Sequence, residues 1–260
     1  MEKKFKKSNK FFERSIKVIP TASQTFSKSS MNLVKGASPL FMNYAKGAEI
    51  FDLDGNKYID YMLSLLPVIL GYQDKDTDSA IKNQLKKGII YSLASPLETE
   101  LAEILIDIIP SAEMVRFAKN GSDVTSGAIR LARAYTGRDK IALFGYHGWH
   151  DWYIGTTTRN LGVPKSISNL STKLPFNDFD AIDLFLKSNP EKYAAIILEP
   201  ESTLTPVKGY LERLRQISTK YGIVLIFDEI CSCFRSHIGG SQTKYRVIPD
   251  LTCLGKSMGN

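Results

Sequence analysis

Two spacings of apolar residues organise this chain. From residue 140 onward, short unbroken apolar runs recur: Lys140–Phe144, Ala194–Glu199 and Ile223–Asp228. Runs of that length, apolar on consecutive positions, predict strands buried on both faces. Between them lie segments with helical spacing, at Asp123–Tyr135, Phe179–Lys187 and Tyr210–Tyr221. Val115-Arg116-Phe117-Ala118 predicts one more strand ahead of the first of these helices, and residues 150–175 carry no regular pattern. Strands alternating with helices predict a mostly parallel sheet covered by helices, an α/β architecture whose ligands bind beyond the strands' carboxyl ends.

The first third reads differently. Residues 1–40 are polar and irregular, with a short helix predicted over Phe11–Val18. In Ala48–Tyr61 apolar residues alternate around Asp54-Gly55-Asn56, the signal of a β-hairpin. Helical spacing follows at Asp78–Lys87 and at Glu98–Ile109, the latter closed by Pro110. The expected division is an N-terminal segment, residues 1–75, and a larger ligand-binding domain, residues 76–260.

Composition narrows the classes. The 260 residues are 43% hydrophobic and 23% charged, ordinary for a globular chain. No apolar run approaches the ~20 residues that span a bilayer. The basic start has no apolar core behind it, so no membrane role and no export are expected. Three cysteines offer no disulfide framework and suit a cytoplasmic protein. The net charge of +7 resides in Lys3, Lys4, Lys6, Lys7 and Lys10 and in scattered helix positions such as Lys82, Lys86 and Lys87. A nucleic-acid site needs a continuous basic stripe with interleaved aromatics, so no nucleic-acid partner is expected.

Chemistry-bearing residues fall where the predicted strands end. Lys119-Asn120-Gly121-Ser122-Asp123 opens a helix, and its free N–H groups suit an anion such as a phosphate. The plain alternative is a capped helix start, with Ser122 or Asp123 as the N-cap. Gly145–Trp152 carries Tyr146, an aromatic able to stack on a flat ring. Its His147, His150 and Asp151 invite a metal reading, but three ligands in one loop without nearby thiols do not make a closed zinc site.

Glu199 and Asp228 end two strands. Lys256 follows the short apolar stretch Pro249–Leu254. A carboxylate and a lysine at one sheet edge suit pyridoxal 5'-phosphate (PLP). The lysine forms an imine with the cofactor, and the acid holds its pyridine nitrogen so that the ring takes up the electrons of a departing proton. Plainer alternatives are strand-end acids and a solvated lysine. Gly255-Lys256-Ser257 is not a phosphate-binding P-loop, because position 250 is Asp where that motif needs glycine.

From about Ser38 onward the chain resembles the class III PLP-dependent aminotransferases of fold type I, especially the glutamate-1-semialdehyde 2,1-aminomutase-like branch. The resemblance rests on Lys46-Gly47-Ala48, Asp52–Asn56, Tyr58–Tyr61, Ile69-Leu70-Gly71, Glu98–Glu103 and Val115-Arg116-Phe117. It continues in Arg130–Arg133, Tyr135–Arg138, Tyr146-His147-Gly148, Glu199-Pro200, Phe227-Asp228-Glu229, Phe234-Arg235 and Leu254-Gly255-Lys256. It implies that Lys256 and Asp228 are catalytic, the former as imine former and proton shuttle. It also implies that Tyr146 stacks on the cofactor ring and that Gly121, Ser122 and Asp123 hold the phosphate; Glu199, at the end of the neighbouring strand, is placed to orient the ring or its substituents. Where the family has Ser-Gly-Thr, this chain has Gly121-Ser122-Asp123, which puts an acid toward the phosphate.

The resemblance further implies transfer of an amino group between a small-molecule donor and a carbonyl acceptor, through the Lys256 imine and a quinonoid, in a homodimer. Ser23–Ser30 contains no arginine. The aminomutases carry one in the corresponding stretch, so an aminotransferase is favoured over the aminomutase proper. Family members continue well past the lysine, so residues 1–75 are expected to belong to a small domain and the large domain to lack its C-terminal part. The alternative expectation is a non-catalytic remnant that at most binds PLP.

Overall fold

The computed structural model describes residues 2–34, 36–189 and 191–260, which fall into two compact units, one running to Ile90 and the other from Tyr91 to Gly259.

The first unit opens with helix α1 (Lys6–Ser15), followed by a three-stranded antiparallel sheet in the order β1 (Met42–Lys46), β2 (Glu49–Asp52), β3 (Lys57–Ile59), and then helix α2 (Lys75–Leu85). The β2–β3 pair is the hairpin read from the sequence. Its turn is tied by the Asp52 carboxylate, which accepts from Asp54 N–H at 2.9 Å, Asn56 N–H at 2.8 Å and Tyr58 Oη at 3.0 Å. The α1 helix corrects the expected Phe11–Val18 boundaries: it begins at Lys6, because Asp54 caps it from a distance. That carboxylate accepts from the Lys7 and Ser8 N–H groups at 2.7 and 2.9 Å. A local reading of helix signals cannot see a cap 46 residues away.

The second unit begins with helix α3 (Pro96–Ile108), which carries a reciprocal cap between Ser95 and Glu98. Then follow α4 (Gly121–Thr136), β4 (Lys140–Phe144), α5 (Asp151–Ile154), α6 (Lys165–Ser168), β5 (Ser171–Lys173), α7 (Phe179–Lys187), β6 (Tyr193–Leu198), α8 (Tyr210–Tyr221), β7 (Val224–Asp228), α9 (Gly240–Tyr245) and β8 (Leu251–Cys253). The five strands form one parallel sheet in the order β5-β4-β6-β7-β8. The expected α/β class, a parallel sheet covered by helices, is what the structure has.

Alternation along the central strands sends successive side chains to opposite faces. Phe144, Ile196, Leu198, Leu225 and Phe227 pack under α7 and α8, against Ile182, Leu186, Leu211 and Leu214. Ile141, Leu143, Ala195, Ile197 and Ile226 pack under α4 and α5, against Ile129, Ala132 and Trp152. Both faces being covered, β4, β6 and β7 had to be apolar throughout. Arg138 closes the amino-terminal edge, its guanidinium donating to the carbonyls of Tyr193, Tyr221 and Gly222.

One expectation fails. Val115–Ala118 is not a strand. β8 ends the sheet, no described strand lies beside this segment, and Arg116, Phe117 and Ala118 are exposed. A four-residue run becomes a strand only when a neighbour takes up its N–H and C=O groups.

Ile197, fully buried at the sheet's centre, measures how much the packing contributes. Replacing it by alanine is expected to lower the unfolding free energy by about 2–5 kcal/mol in a denaturant titration. A loss below about 1 kcal/mol contradicts a close-packed core at this position.

Candidate active site

The loops after β4, β6, β7 and β8 emerge at the sheet's carboxyl edge, and the start of α4 meets them there. Asp228, the last residue of β7, is 3% exposed. Its Oδ2 lies 2.7 Å from His147 Nδ1, while Oδ1 accepts from Ile230 N–H at 3.2 Å. The other ring nitrogen of His147, Nε2, lies 2.7 Å from the carbonyl oxygen of Phe144. That carbonyl can only accept, so Nε2 carries a proton. With a proton on each nitrogen the ring satisfies both neighbours; with only one, the Asp228 carboxyl must supply the second. His147 is therefore Asp228's partner and not a metal ligand. It is sandwiched between Trp152, stacked 6.1 Å away, and the edge of Tyr153 at 5.6 Å.

For His147 to reach back to Phe144, the chain must reverse within three residues. Gly145 and Gly148, with φ of +92° and +103°, make that turn possible. Neither has room for a side chain: a Cβ on Gly145 would sit 2.6 Å from Glu199 Oε2, and one on Gly148 would run into Ser122. The reversal turns Tyr146 outward, 59% exposed, its ring edge-to-face with Tyr153 at 5.4 Å. The Tyr146 N–H donates to Glu199 Oε2 at 2.9 Å. Burial raises the Glu199 carboxyl above its ordinary range; the Tyr146 N–H opposes the rise, Asp228 adds to it, and His147 and Lys256 lessen it.

The N-cap of α4 is Asn120, not Ser122 or Asp123. Gly121 and Ser122 therefore hold the first two helical positions, whose N–H groups have no intrahelical acceptor. Asp123 stands apart from them: its N–H donates to Asn120 Oδ1 at 3.1 Å, and its carboxylate accepts from Asn120 Nδ2 at 2.9 Å. Ser122, 8% exposed, accepts from Trp149 N–H at 3.3 Å, and Thr125 Oγ1 donates to the His147 carbonyl at 3.1 Å. These bonds bring the helix start against the aromatic loop. Of the three residues assigned to a phosphate, Gly121 and Ser122 present unengaged amides, and Asp123 has both backbone and side chain committed to its own cap.

Lys256 follows β8, which pairs with β7 in the register Asp228↔Cys253. Its Nζ donates to Cys231 Sγ at 2.6 Å, from the turn after β7. Burial pushes the Cys231 thiol up, and the Lys256 ammonium opposes that shift. The next residue along from Asp228, Glu229, is fully buried. It accepts from Ser241 N–H at 2.5 Å, Gln242 N–H at 3.2 Å and Ser232 Oγ at 3.1 Å, anchoring the turn that carries Cys231.

His147, Glu229 and Cys231 were missed as site residues. The signal for His147 was present, since a histidine beside the stacking aromatic needed a partner, but that partner lies 81 positions away. Among the described residues, no group of three or more His, Cys, Asp or Glu is placed to hold a metal, and no helix is long and apolar enough to cross a membrane. A cavity of about 700 Å³ lined by Tyr135, Arg215, Gly222, Val224 and Leu251 lies at the opposite, amino-terminal edge and shares no residue with this site.

The raised Glu199 carboxyl has a defined effect on stability. Between the ordinary and the raised value the folded state binds more protons than the unfolded state, so this residue's contribution to stability falls as pH rises. Glu199→Gln keeps the acceptor for Tyr146 N–H and removes the titration. The variant is expected to gain stability relative to the parent on going from pH 4 to pH 7, in parallel denaturant titrations. A difference constant across that window contradicts the assignment.

Comparison with known proteins supplies the family. The chain is 38% identical over 99% of its length to the 3-aminobutyryl-CoA aminotransferase of Cloacimonas acidaminovorans (strain Evry), covering 63% of that protein. It is 40% identical over 98% of its length to glutamate-1-semialdehyde 2,1-aminomutase 2 of Listeria monocytogenes serotype 4a (strain HCC23), covering 62% of it. The fold superposes with a TM-score of 0.89, at 30% identity, on the FumI protein of Sphingopyxis sp. MTA144 in its PLP internal aldimine form, covering 96% of this chain and 61% of that one. The chain thus spans somewhat less than two thirds of the length of these relatives. Residues 31–260 match the aminotransferase class-III family, and the chain belongs to that family.

Proposed function

We propose that this chain forms the cofactor-binding part of a PLP-dependent aminotransferase, with Lys256 and Asp228 as its catalytic residues. The observation that carries the reading is the buried Asp228–His147 pair at the end of β7, on the sheet edge that also holds Lys256 beyond β8 and the open amides of α4.

The residues present fit PLP. A doubly anionic phosphate suits the Gly121 and Ser122 N–H groups at the positive end of a 16-residue helix. A flat ring suits the exposed face of Tyr146. A protonated ring nitrogen suits a carboxylate that His147 holds in place and that Ile230 N–H leaves one oxygen short of saturation. When bound, PLP supplies an aldehyde that condenses with amines and a ring that takes up the electron pair left when a carbon acid loses its proton.

The chain's own residues divide the remaining work. Lys256 Nζ would provide the amine that holds the cofactor and the base that moves a proton. Cys231 gives that amine a resting contact without competing as an anion, since burial keeps the thiol protonated. Asp228 would hold a proton at the cofactor's ring nitrogen. Glu199, held by the Tyr146 N–H, lies within electrostatic reach of both and steers the ring's edge. The substrates are a small-molecule amino donor and a carbonyl acceptor.

The absence of arginine from Ser23–Ser30 supports an aminotransferase over the aminomutase that the Listeria relative's name describes. The large apolar side chains exposed at Tyr61, Ile90 and Leu93 support a homodimer. The free cysteines, two of them buried, support a cytoplasmic location.

The test is to add PLP to the purified chain, reduce with borohydride and map the modified peptide. A pyridoxyl adduct on Lys256, absent from Lys256→Ala, is the expected result; an adduct spread over surface lysines contradicts the reading. In a chain that turns over amino donor, Lys256→Ala is expected to lower kcat by about 10²–10⁴-fold, the usual worth of a positioned proton-transfer group. A chain that forms the Lys256 adduct yet leaves amino donors unconverted is the binding remnant.

A further inference from the structure

A chain of polar contacts running through His150 and Ser126 joins the aromatic loop to the start of α4. Trp152 Nε1 donates to Ser126 Oγ at 2.9 Å, and Ser126 Oγ lies 2.7 Å from His150 Nδ1. The far nitrogen of that ring, His150 Nε2, faces Asp123 Oδ1 at 3.8 Å. Asp123 Oδ2 in turn accepts from Asn120 Nδ2, the side chain that caps the helix.

The directions of the links follow from the two ends of the chain. An indole N–H can only donate, so Ser126 Oγ accepts there; the Asp123 carboxylate can only accept, so the ring nitrogen facing it is the one that carries the proton, and the Ser126 hydroxyl proton goes to His150 Nδ1. With Nδ1 accepting, the neutral ring carries its proton on Nε2, pointed toward the Asp123 carboxylate. His150 and Asp123 are both partly exposed, so the ring acts on the acid through a short electrostatic contact and not through a buried bond.

Asp123 is the third residue of α4, in the turn whose amides attract negative charge. Left to itself, its carboxylate competes with any other anion for the Gly121 and Ser122 N–H groups. We propose that His150 is a positioning residue for the cofactor's phosphate: it holds the Asp123 carboxylate against Asn120 and so keeps the two open amides for the phosphate. The inference rests on the PLP reading above and extends it to a residue that does not itself touch the phosphate.

The test uses PLP and pyridoxal, which differs from it by lacking the phosphate. Dissociation constants for both are measured with the purified chain by equilibrium dialysis, and the ratio of pyridoxal to PLP isolates the phosphate's contribution. His150→Ala is expected to lower that ratio roughly three- to thirtyfold, the range that a charge at a helix start commands, with pyridoxal affinity unchanged. His150→Gln is expected to restore it, because its Oε1 accepts from Ser126 and its Nε2 donates to Asp123. Adding Asp123→Asn to His150→Ala restores it too, by removing the charge that needed holding. A merely structural role for His150 predicts loss of affinity for both ligands and no rescue by the Asp123 change.

An unchanged ratio in His150→Ala, or a His150→Gln as poor as the alanine variant, overturns the proposal. A parent chain that binds PLP no better than pyridoxal overturns the PLP reading itself, and the inference falls with it.

Discussion

A carboxylate buried at the end of a strand dictates much of what surrounds it. Asp228 is almost wholly withdrawn from water, and an unpartnered charge there costs several kcal/mol. His147 is the partner, yet it comes from the loop after β4 and must also satisfy the Phe144 carbonyl three residues behind it. That double demand forces a tight reversal, and the reversal needs glycine at positions 145 and 148. From it follow the outward Tyr146 ring, the Tyr146 N–H on Glu199 and the close seat of Gly148 on Ser122. One hydrogen-bonded pair thereby sets the positions of the exposed aromatic, the neighbouring acid and the start of α4.

The strands β4, β6 and β7 were legible because burial on both faces leaves no place for a polar residue. The helices α4 and α8 were legible from their spacing and from Gly137 and Gly222 at their ends, both in the left-handed conformation that stops a helix. What the sequence hid depended on distant partners. β5 is Ser171-Thr172-Lys173, polar and short, a strand only because β4 lies beside it. α9 is six residues beginning with a glycine, held at its start by Glu229. The same logic in reverse removed Val115–Ala118, which had the composition of a strand and no neighbour.

The site divides in the same way. Asp228, Glu199, Tyr146 and Lys256 could be picked out as candidates because each ends or closely follows a strand and carries a functional group suited to PLP. Asp123 was expected to face a phosphate, since at that level a residue at a helix start is a residue near an anion. Its side chain instead belongs to the cap of its own helix and to His150. His147 and His150, two of the three residues that invited a metal reading, have separate employment: one is bonded to the acid of β7 and the other to Ser126 of α4.

The central claim is that Asp228, held by His147, keeps the nitrogen of a bound pyridine ring protonated. The most direct measurement is the ¹⁵N chemical shift of PLP labelled at its ring nitrogen and bound to the purified chain. The account predicts a pyridinium shift in the parent and a neutral-pyridine shift in Asp228→Asn. A neutral ring nitrogen in the parent contradicts it.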